Sequence, residues 1–221
     1  MQTANYTSEN ICHAMGMDGF ANDSHLAKAE ESIRILLMPS FAPEVCITFA
    51  KFEAVVTVRV ETPREQIWRQ DWPTPQKTLT DVATGTSSAV EYDRLLQLFE
   101  CANNPPLGLR VVILDGMPSH CIHRKAGERV FDIQKNPSTE GPLGAFIGAV
   151  IAAGWEAISD PWVRNALREA GAYVGIQLER QEVPTDKPLV RTMILGDHED
   201  APAILEALQK YHGHPKSGNE D

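Results

Sequence analysis

Three strand-like runs lie close together between residues 32 and 61, and they constrain the fold more than any other part of the chain. The run 33–37 alternates isoleucine and leucine with other residues, which is the period of a half-buried strand. The run 44–51 is rich in β-branched and aromatic residues, and 54–61 alternates valine with polar residues. Because the connection at 51–53 is short enough for a hairpin, these runs predict antiparallel pairing.

Helical patterns separate these strands from a second group. Residues 62–87 carry three prolines, which predicts a loop or an irregular edge. Ser88 and Glu91 fit a capping box that opens a helix. Further elements are predicted as strands at 109–114, 119–124 and 128–134, helices at 142–158 and 161–170, strands at 174–182 and 189–195, and a helix at 201–211.

This order of hairpins and helices predicts an α+β fold, an antiparallel sheet with helices packed on one face. The segments divide into a polar N-terminal segment at 1–31, a main α+β unit at 32–158 and a C-terminal α-β-β-α unit at 159–221. The last unit is small for an independent core, so we expect it to share the core of the main unit.

Composition restricts the classes of function. Thirty acidic and twenty basic residues give a formal charge of −10, which disfavours nucleic-acid binding and suits a basic partner. The N-terminus lacks the pattern of a signal peptide, and the longest apolar run is too short to span a bilayer, so we expect a cytoplasmic protein without membrane association. The four cysteines form no C-x-x-C pair, which indicates core residues in a reducing compartment.

Short motifs of the common enzyme classes are missing from the sequence. It contains no phosphate-binding glycine loop, no G-x-S-x-G elbow, no H-E-x-x-H pair and no EF-hand loop. The sequence therefore favours a protein with no catalytic residues and no cofactor.

The segment Ser119-His120-Cys121-Ile122-His123 is the best chemical candidate. On a strand, Cys121 and His123 share one face and His120 lies on the other. Cys121 and His123 could hold one edge of a zinc site or form a Cys–His catalytic pair. Further metal ligands could come from His198, His212 and His214. The alternative is that Cys121 is buried in the core and the histidines face solvent, and a separate acid/base pair of Asp115 and Asp132 is also conceivable.

Two tryptophans stand in the proline-containing stretch, Trp68 and Trp72, and Arg69 lies between them. Tryptophan and arginine are enriched among the residues that dominate binding energy at interfaces. We therefore predict that Trp68, Arg69 and Trp72 bind a protein partner. The alternative is that the tryptophans cover the core beneath the loop.

Glycines at positions 144 and 148 lie on one face of the apolar helix predicted at 142–158. Such a face lets a neighbouring backbone approach closely. It allows a third hypothesis, in which the chain is a homo-oligomeric structural protein that associates through this helix.

A resemblance in architecture and spacing joins several of these segments. In order along the chain they are SIRILLMPSFAPEVCITF at 32–49, EYDRLLQLFEC at 91–101, the turn at 115–116, RKAGERVFD at 124–132 and the apolar helix at 143–155. Residues 32–158 resemble the small bacterial α+β proteins of the immunity type that are encoded beside secreted toxins, for example those of type VI secretion systems. The resemblance implies a cytoplasmic protein without catalytic residues that binds and blocks a cognate toxin.

Overall fold

The computed structural model describes residues 6–21, 23–24, 26–67, 77–103 and 116–183 of the 221-residue chain, all within one compact unit, Met1–Pro184. The strands are β1 (Glu31–Leu37), β2 (Val45–Phe52), β3 (Val55–Pro63), β4 (Thr80–Ser87), β5 (Ser119–Lys125) and β6 (Glu128–Lys135). The helices are α1 (Ser8–Ala14), α2 (Ala89–Asn103), α3 (Pro142–Ala157) and α4 (Pro161–Ala172), and a short 3-10 turn covers Leu26–Lys28.

The six strands form one antiparallel sheet in the order β4-β3-β2-β1-β5-β6. The central strand β1 pairs on both sides, with Ile35 opposite Ile47 of β2 and Cys121 of β5. The β5–β6 turn is tight because Ala126 and Gly127 both adopt positive φ, as a type I′ hairpin requires. The predicted α+β class with an antiparallel sheet is confirmed.

One face of the sheet packs against α2, α3 and α4. The alternating apolar residues of β1, β2 and β3 meet Phe99 of α2, Phe146 of α3 and Leu167 of α4, all of which are fully buried. Asp160 begins α4 by accepting hydrogen bonds from the backbone N–H groups of Trp162 and Val163. This apolar layer is the main core, and α4 from the predicted C-terminal unit contributes to it.

The opposite face of the sheet is covered by the N-terminal segment. The polar sequence of this segment did not predict that it would pack there. Ile11, Cys12 and Phe20 pack there against Leu36 of β1 and Cys46 of β2. All seven residues of β1 are therefore buried. The sheet is enclosed on both faces near β1, β2 and β5. At β4, Thr84 and Thr86 are exposed on the face opposite the helices, because the N-terminal segment does not cover them.

Two predicted elements differ from the structure. The stretch 62–87, predicted as a loop or irregular edge, contains β4, which pairs with β3 across eight positions. The stretch 174–182, predicted as a strand, makes no strand pairing within the described part of the chain; Ile176 packs instead on the surface that Gly148 and Gly171 leave open. The predicted strands at 109–114 and 189–195 and the helix at 201–211 lie outside the described residues.

Candidate functional site

The predicted partner-binding residues Trp68, Arg69 and Trp72 lie outside the described residues, but both flanks of their segment are described. We call residues 68–76 the tryptophan segment. Its N-terminal flank ends at Ile67, whose side chain is 1% exposed and belongs to the core cluster beneath the N-terminal segment. The Ile67 N–H donates a hydrogen bond to the Glu44 carboxylate at 2.9 Å. The chain therefore enters the tryptophan segment from a fixed position.

Glu44 is a fully buried carboxylate that organises this flank. Its other oxygen accepts a 2.6 Å hydrogen bond from the Tyr6 hydroxyl. Burial and the negative charge of Glu44 raise the pKa of Tyr6, so the phenol stays protonated and donates. Next to Ile67, the Gln66 amide donates to the Pro39 carbonyl at 2.8 Å. Glu44 thus joins the N-terminal segment to the flank of the tryptophan segment.

The C-terminal flank is held by a second set of bonds. The Thr78 N–H donates to the Ala14 carbonyl at the end of α1, at 2.8 Å. The Arg64 guanidinium makes two hydrogen bonds to Asp81, at 2.9 and 3.0 Å, and lies 5.7 Å from the centre of the Trp162 ring. Such a bidentate pair fixes both partners in orientation. Both flanks of the tryptophan segment are therefore held by hydrogen bonds to fixed parts of the scaffold.

A buried ion cluster lies between the N-terminal segment and the sheet, centred on Arg34, which is 1% exposed. Its guanidinium donates to Asp23 at 2.6 Å and to the carbonyls of Gly19 and Phe20 at 3.0 and 3.1 Å. Glu61 lies 3.7 Å away and also pairs with Arg59. Because a buried charge is costly unless it is paired, this cluster fixes the N-terminal segment against β1 and β3.

Two thiols meet beside the same guanidinium. Cys12 of α1 and Cys46 of β2 are fully buried and hydrogen-bonded to each other. This hydrogen bond and the Arg34 charge lower the pKa of Cys46, against burial and the charge of Glu61. The hydrogen bond and then burial raise the pKa of Cys12, so Cys46 is the thiol of the pair that ionises first.

A serine, a histidine and an aspartate form a hydrogen-bonded row at the edge of the N-terminal layer. Ser8 Oγ lies 2.7 Å from His120 Nδ1, and His120 Nε2 lies 2.8 Å from Asp132 Oδ1. Asp132 also accepts from Arg129 at 2.6 Å. Ser8 is 5% exposed and the His120 ring packs 4.3 Å from Phe20. The Ser8 hydroxyl is enclosed, and the hydrogen bonds among these three side chains connect α1 to β5 and β6.

Cys121 and His123 do share a face, and His120 lies on the other, as the strand pattern predicts. Cys121 is buried under the helices, and burial raises its pKa to about 12. The alternative with solvent-facing histidines is wrong for His123, because the helical layer covers β5: its ring is 3% exposed, edge-on to Phe99. His123 Nε2 lies 3.0 Å from a Glu31 carboxylate oxygen.

The other proposed ligands are not brought to this pair. His198, His212 and His214 lie outside the described residues, as does Asp115, the predicted partner of Asp132. Among the residues that are described, no three His, Cys, Asp or Glu side chains come together as a metal site requires.

The glycine face of α3 is occupied by the chain itself. A Cβ at Gly144 would lie 2.0 Å from the Ser138 carbonyl oxygen, and one at Gly148 would lie 3.1 Å from the Ile176 side chain. Both glycines are buried in this way. This face is therefore an intramolecular contact, and the hypothesis of oligomerisation through it loses its basis.

Concave surfaces on the described residues are shallow. One of about 390 Å³ lies between the start of α2 and the end of α3 and includes Arg94 and Glu156, and one of about 400 Å³ lies beside Arg168 and Ile176. No helix in the described ranges combines the length and apolar character needed to cross a lipid bilayer. The chain matches no protein-family model, no characterised protein and no solved structure.

Sequence reasoning missed the whole N-terminal layer, although a signal for it exists. Leu36 lies on the face of β1 that strict alternation would leave polar, Met38 follows directly after the strand in the same core cluster, and Ile122 occupies the corresponding face of β5. Apolar residues on both faces of a strand indicate that both faces are covered. No comparable signal marks Glu44 or Arg34, whose partners are distant in sequence.

Proposed function

We propose that the chain is a cytoplasmic binding protein of the immunity type, which blocks a cognate protein toxin through the tryptophan segment. The observation that carries this proposal is the double anchoring of that segment. Ile67 on one side is bonded to the buried carboxylate of Glu44, and Thr78 on the other is bonded to the end of α1. Segments that connect the elements of a rigid scaffold often carry the residues of recognition.

Anchored ends favour affinity. Binding costs conformational entropy, and fixing the residues that flank a binding segment before association removes part of that cost. The ten residues between Ile67 and Thr78 include two tryptophans and one arginine, the types that most often dominate interface energies. We expect Trp68 and Trp72 to act as anchors in the partner and Arg69 to pair with a carboxylate there.

Charge supports a basic toxin as the partner. The formal charge of −10 attracts a basic protein over long range and raises its rate of association. Nucleic acid is disfavoured by the same charge. Recognition would then combine diffuse attraction with local aromatic contacts.

The test begins with the products of genes adjacent to the one that encodes this chain. Each is co-expressed with the chain and scored for rescue of growth and for a complex at micromolar concentration. In the complex, Trp68→Ala or Trp72→Ala is expected to weaken affinity by about 2 kcal/mol or more, roughly thirtyfold. Phe41→Ala is the matched control, since Phe41 is an aromatic residue outside the segment with 65% exposure.

Measuring stability alongside affinity separates the two hypotheses for the tryptophans. For an interface anchor, the free energy of unfolding of Trp68→Ala stays close to that of the parent protein while affinity falls. For a residue that covers the core, both variants unfold early and bind normally while folded. The second pattern, or the absence of rescue and complex with every adjacent product, would refute the proposal.

A further inference from the structure

We propose that Cys12 and Cys46 are a redox modification site: a hydroperoxide oxidises them to a disulfide that joins the N-terminal segment to the sheet. The proposal does not depend on the proposed binding function. It rests on two thiols from distant parts of the chain that are fully buried in one core cluster and interact there, and on the Arg34 guanidinium, which lies 3.7 Å from Glu61, the residue opposite Cys46 on β3.

Placement within the fold selects these two thiols. Cys12 on α1 and Cys46 on β2 meet across the interface between the N-terminal layer and the sheet. Cys121 faces the helical layer on the other side of the sheet, and Cys101 is exposed on α2. Disulfide formation requires close approach of two Cβ atoms, so contact between thiols is the first requirement.

Neighbouring charges favour a thiolate at Cys46. The Arg34 guanidinium acts on its sulfur, and the Arg34 Nε is a buried donor without a hydrogen-bond acceptor in the described residues. Glu61 from β3 and Glu9 from α1 bring negative charge to the pair and oppose ionisation. The thiolate is the nucleophile in reactions with peroxides, and a neighbouring cation stabilises it.

The reaction proceeds in two balanced steps. The Cys46 thiolate attacks one oxygen of hydrogen peroxide, the O–O bond breaks, and with one proton the products are Cys46 sulfenic acid and water. The Cys12 sulfur then attacks the sulfenic sulfur, an S–S bond forms, and a second water leaves. Two electrons pass from the two thiols to the peroxide. Because both sulfurs are buried, a small uncharged oxidant is the class that suits the site.

The test uses the full chain, treated with hydrogen peroxide, alkylated and digested with trypsin without reduction. Cleavage after lysine and arginine places the four cysteines on four different peptides, 1–28, 35–51, 95–110 and 111–124, so a cross-link identifies its own partners. We expect the 1–28 and 35–51 peptides to be linked in the native protein. Dithiothreitol should reverse the link, and Cys101→Ser should leave it unchanged.

Oxidation in urea is the matched control. In an unfolded chain, Cys101 and Cys121 close a loop of 20 residues (121 − 101), whereas Cys12 and Cys46 close one of 34 (46 − 12). Because shorter flexible loops close at lower entropic cost, the unfolded chain should favour the Cys101–Cys121 link. Preference for the Cys12–Cys46 link only when the protein is folded therefore reports the native contact.

Stability gives the second readout. Closing the 34-residue loop should raise the melting temperature by about 5–10 °C, and reduction should restore the original value. The proposal is overturned if the native protein forms no Cys12–Cys46 link, if it forms the Cys101–Cys121 link instead, or if the linked protein melts no higher than the reduced one.

Discussion

Arg34 shows how far a residue's surroundings can depart from its place in a sequence pattern. In the run 33–37 it occupies an alternate position that is ordinarily polar and solvent-facing. The structure encloses it, because the N-terminal segment brings Asp23 to one side and β3 brings Glu61 to the other. Those partners are 11 and 27 residues away, so periodicity along the strand carries no information about them.

Replacing Arg34 tests whether this pairing stabilises the fold. Arg34→Met leaves Asp23 and Glu61 buried near an apolar side chain, and we expect the free energy of unfolding to fall by about 3 kcal/mol or more. Arg94→Met is the control, because Arg94 has the same 2.6 Å distance to its partner Glu91 but is 51% exposed. A surface pair contributes about 0–1 kcal/mol. Equal losses in urea denaturation would contradict the central role of the Arg34 cluster.

Cys121 predicts a specific loss of stability in alkali. Burial raises its pKa from 9.0 to about 12 in the folded protein, so the unfolded chain releases the proton first as pH rises. Folding stability from this group is complete below pH 9 and declines above it. By pH 10 the decline amounts to about 1.4 kcal/mol.

The measurement compares Cys121→Ala with the parent protein by urea denaturation between pH 8 and 10. Because its side chain is smaller, the variant has a lower unfolding free energy by the same amount at every pH. The informative quantity is therefore how steeply the unfolding free energy of each protein changes with pH. We expect the difference in unfolding free energy to narrow as pH rises. A constant difference would show that the thiol ionises equally in both states.

Strands and helices of this protein differ in how well their own sequences predict them. Strands β1, β2 and β3 and helix α3 carry strong apolar periodicity, and the structure has them close to the predicted positions. β4 was missed because its sequence, TDVATGTS, is dominated by threonine and small residues, and its pairing depends on β3 rather than on its own pattern. The stretch 174–182 shows the opposite case. Its apolar residues alternate as in a strand, but they pack on helices.

The candidate site follows the same division. The tryptophans and the arginine of the segment 68–76 were singled out by residue type alone, and their role stays a prediction. Their anchors were not, because Glu44 and Ile67 are 23 residues apart and Ala14 and Thr78 are 64 residues apart. Contacts of that kind depend on tertiary placement of elements, which a pattern within one window cannot encode.

Helix α3 crosses β4 at a glycine, and this crossing can be tested. A Cβ at Gly85 would lie 1.9 Å from the Ala157 carbonyl oxygen, a backbone atom that cannot move alone. We expect Gly85→Ala to reduce stability by about 1–3 kcal/mol through displacement of the end of α3. The neighbouring Thr84→Ala, at an exposed position on the opposite face, is the control. Matching melting temperatures for the two variants would refute the close crossing.

Net charge acts on the whole molecule. If the partner is basic, raising the salt concentration from about 0.05 to 0.5 M should lower the association rate by about tenfold or more, because the attraction is long-range and screened. The dissociation rate should change little, since aromatic contacts dominate it. Stopped-flow association at several salt concentrations gives both values. A salt-independent association rate would show that long-range charge attraction does not contribute to recognition of the partner.

The two-sided enclosure of β1 also bears on the order of events during synthesis. The N-terminal segment leaves the ribosome well before β5, yet the surface on which it packs includes Ile122 and His120 of β5, more than a hundred residues later. At about 5–20 residues per second, its apolar side chains wait several seconds for that surface to be made. The N-terminal segment is thus synthesised before the strands that it covers, and it can complete its native contacts only after β5 has been made. In the interval it is the part of the nascent chain that a chaperone would hold.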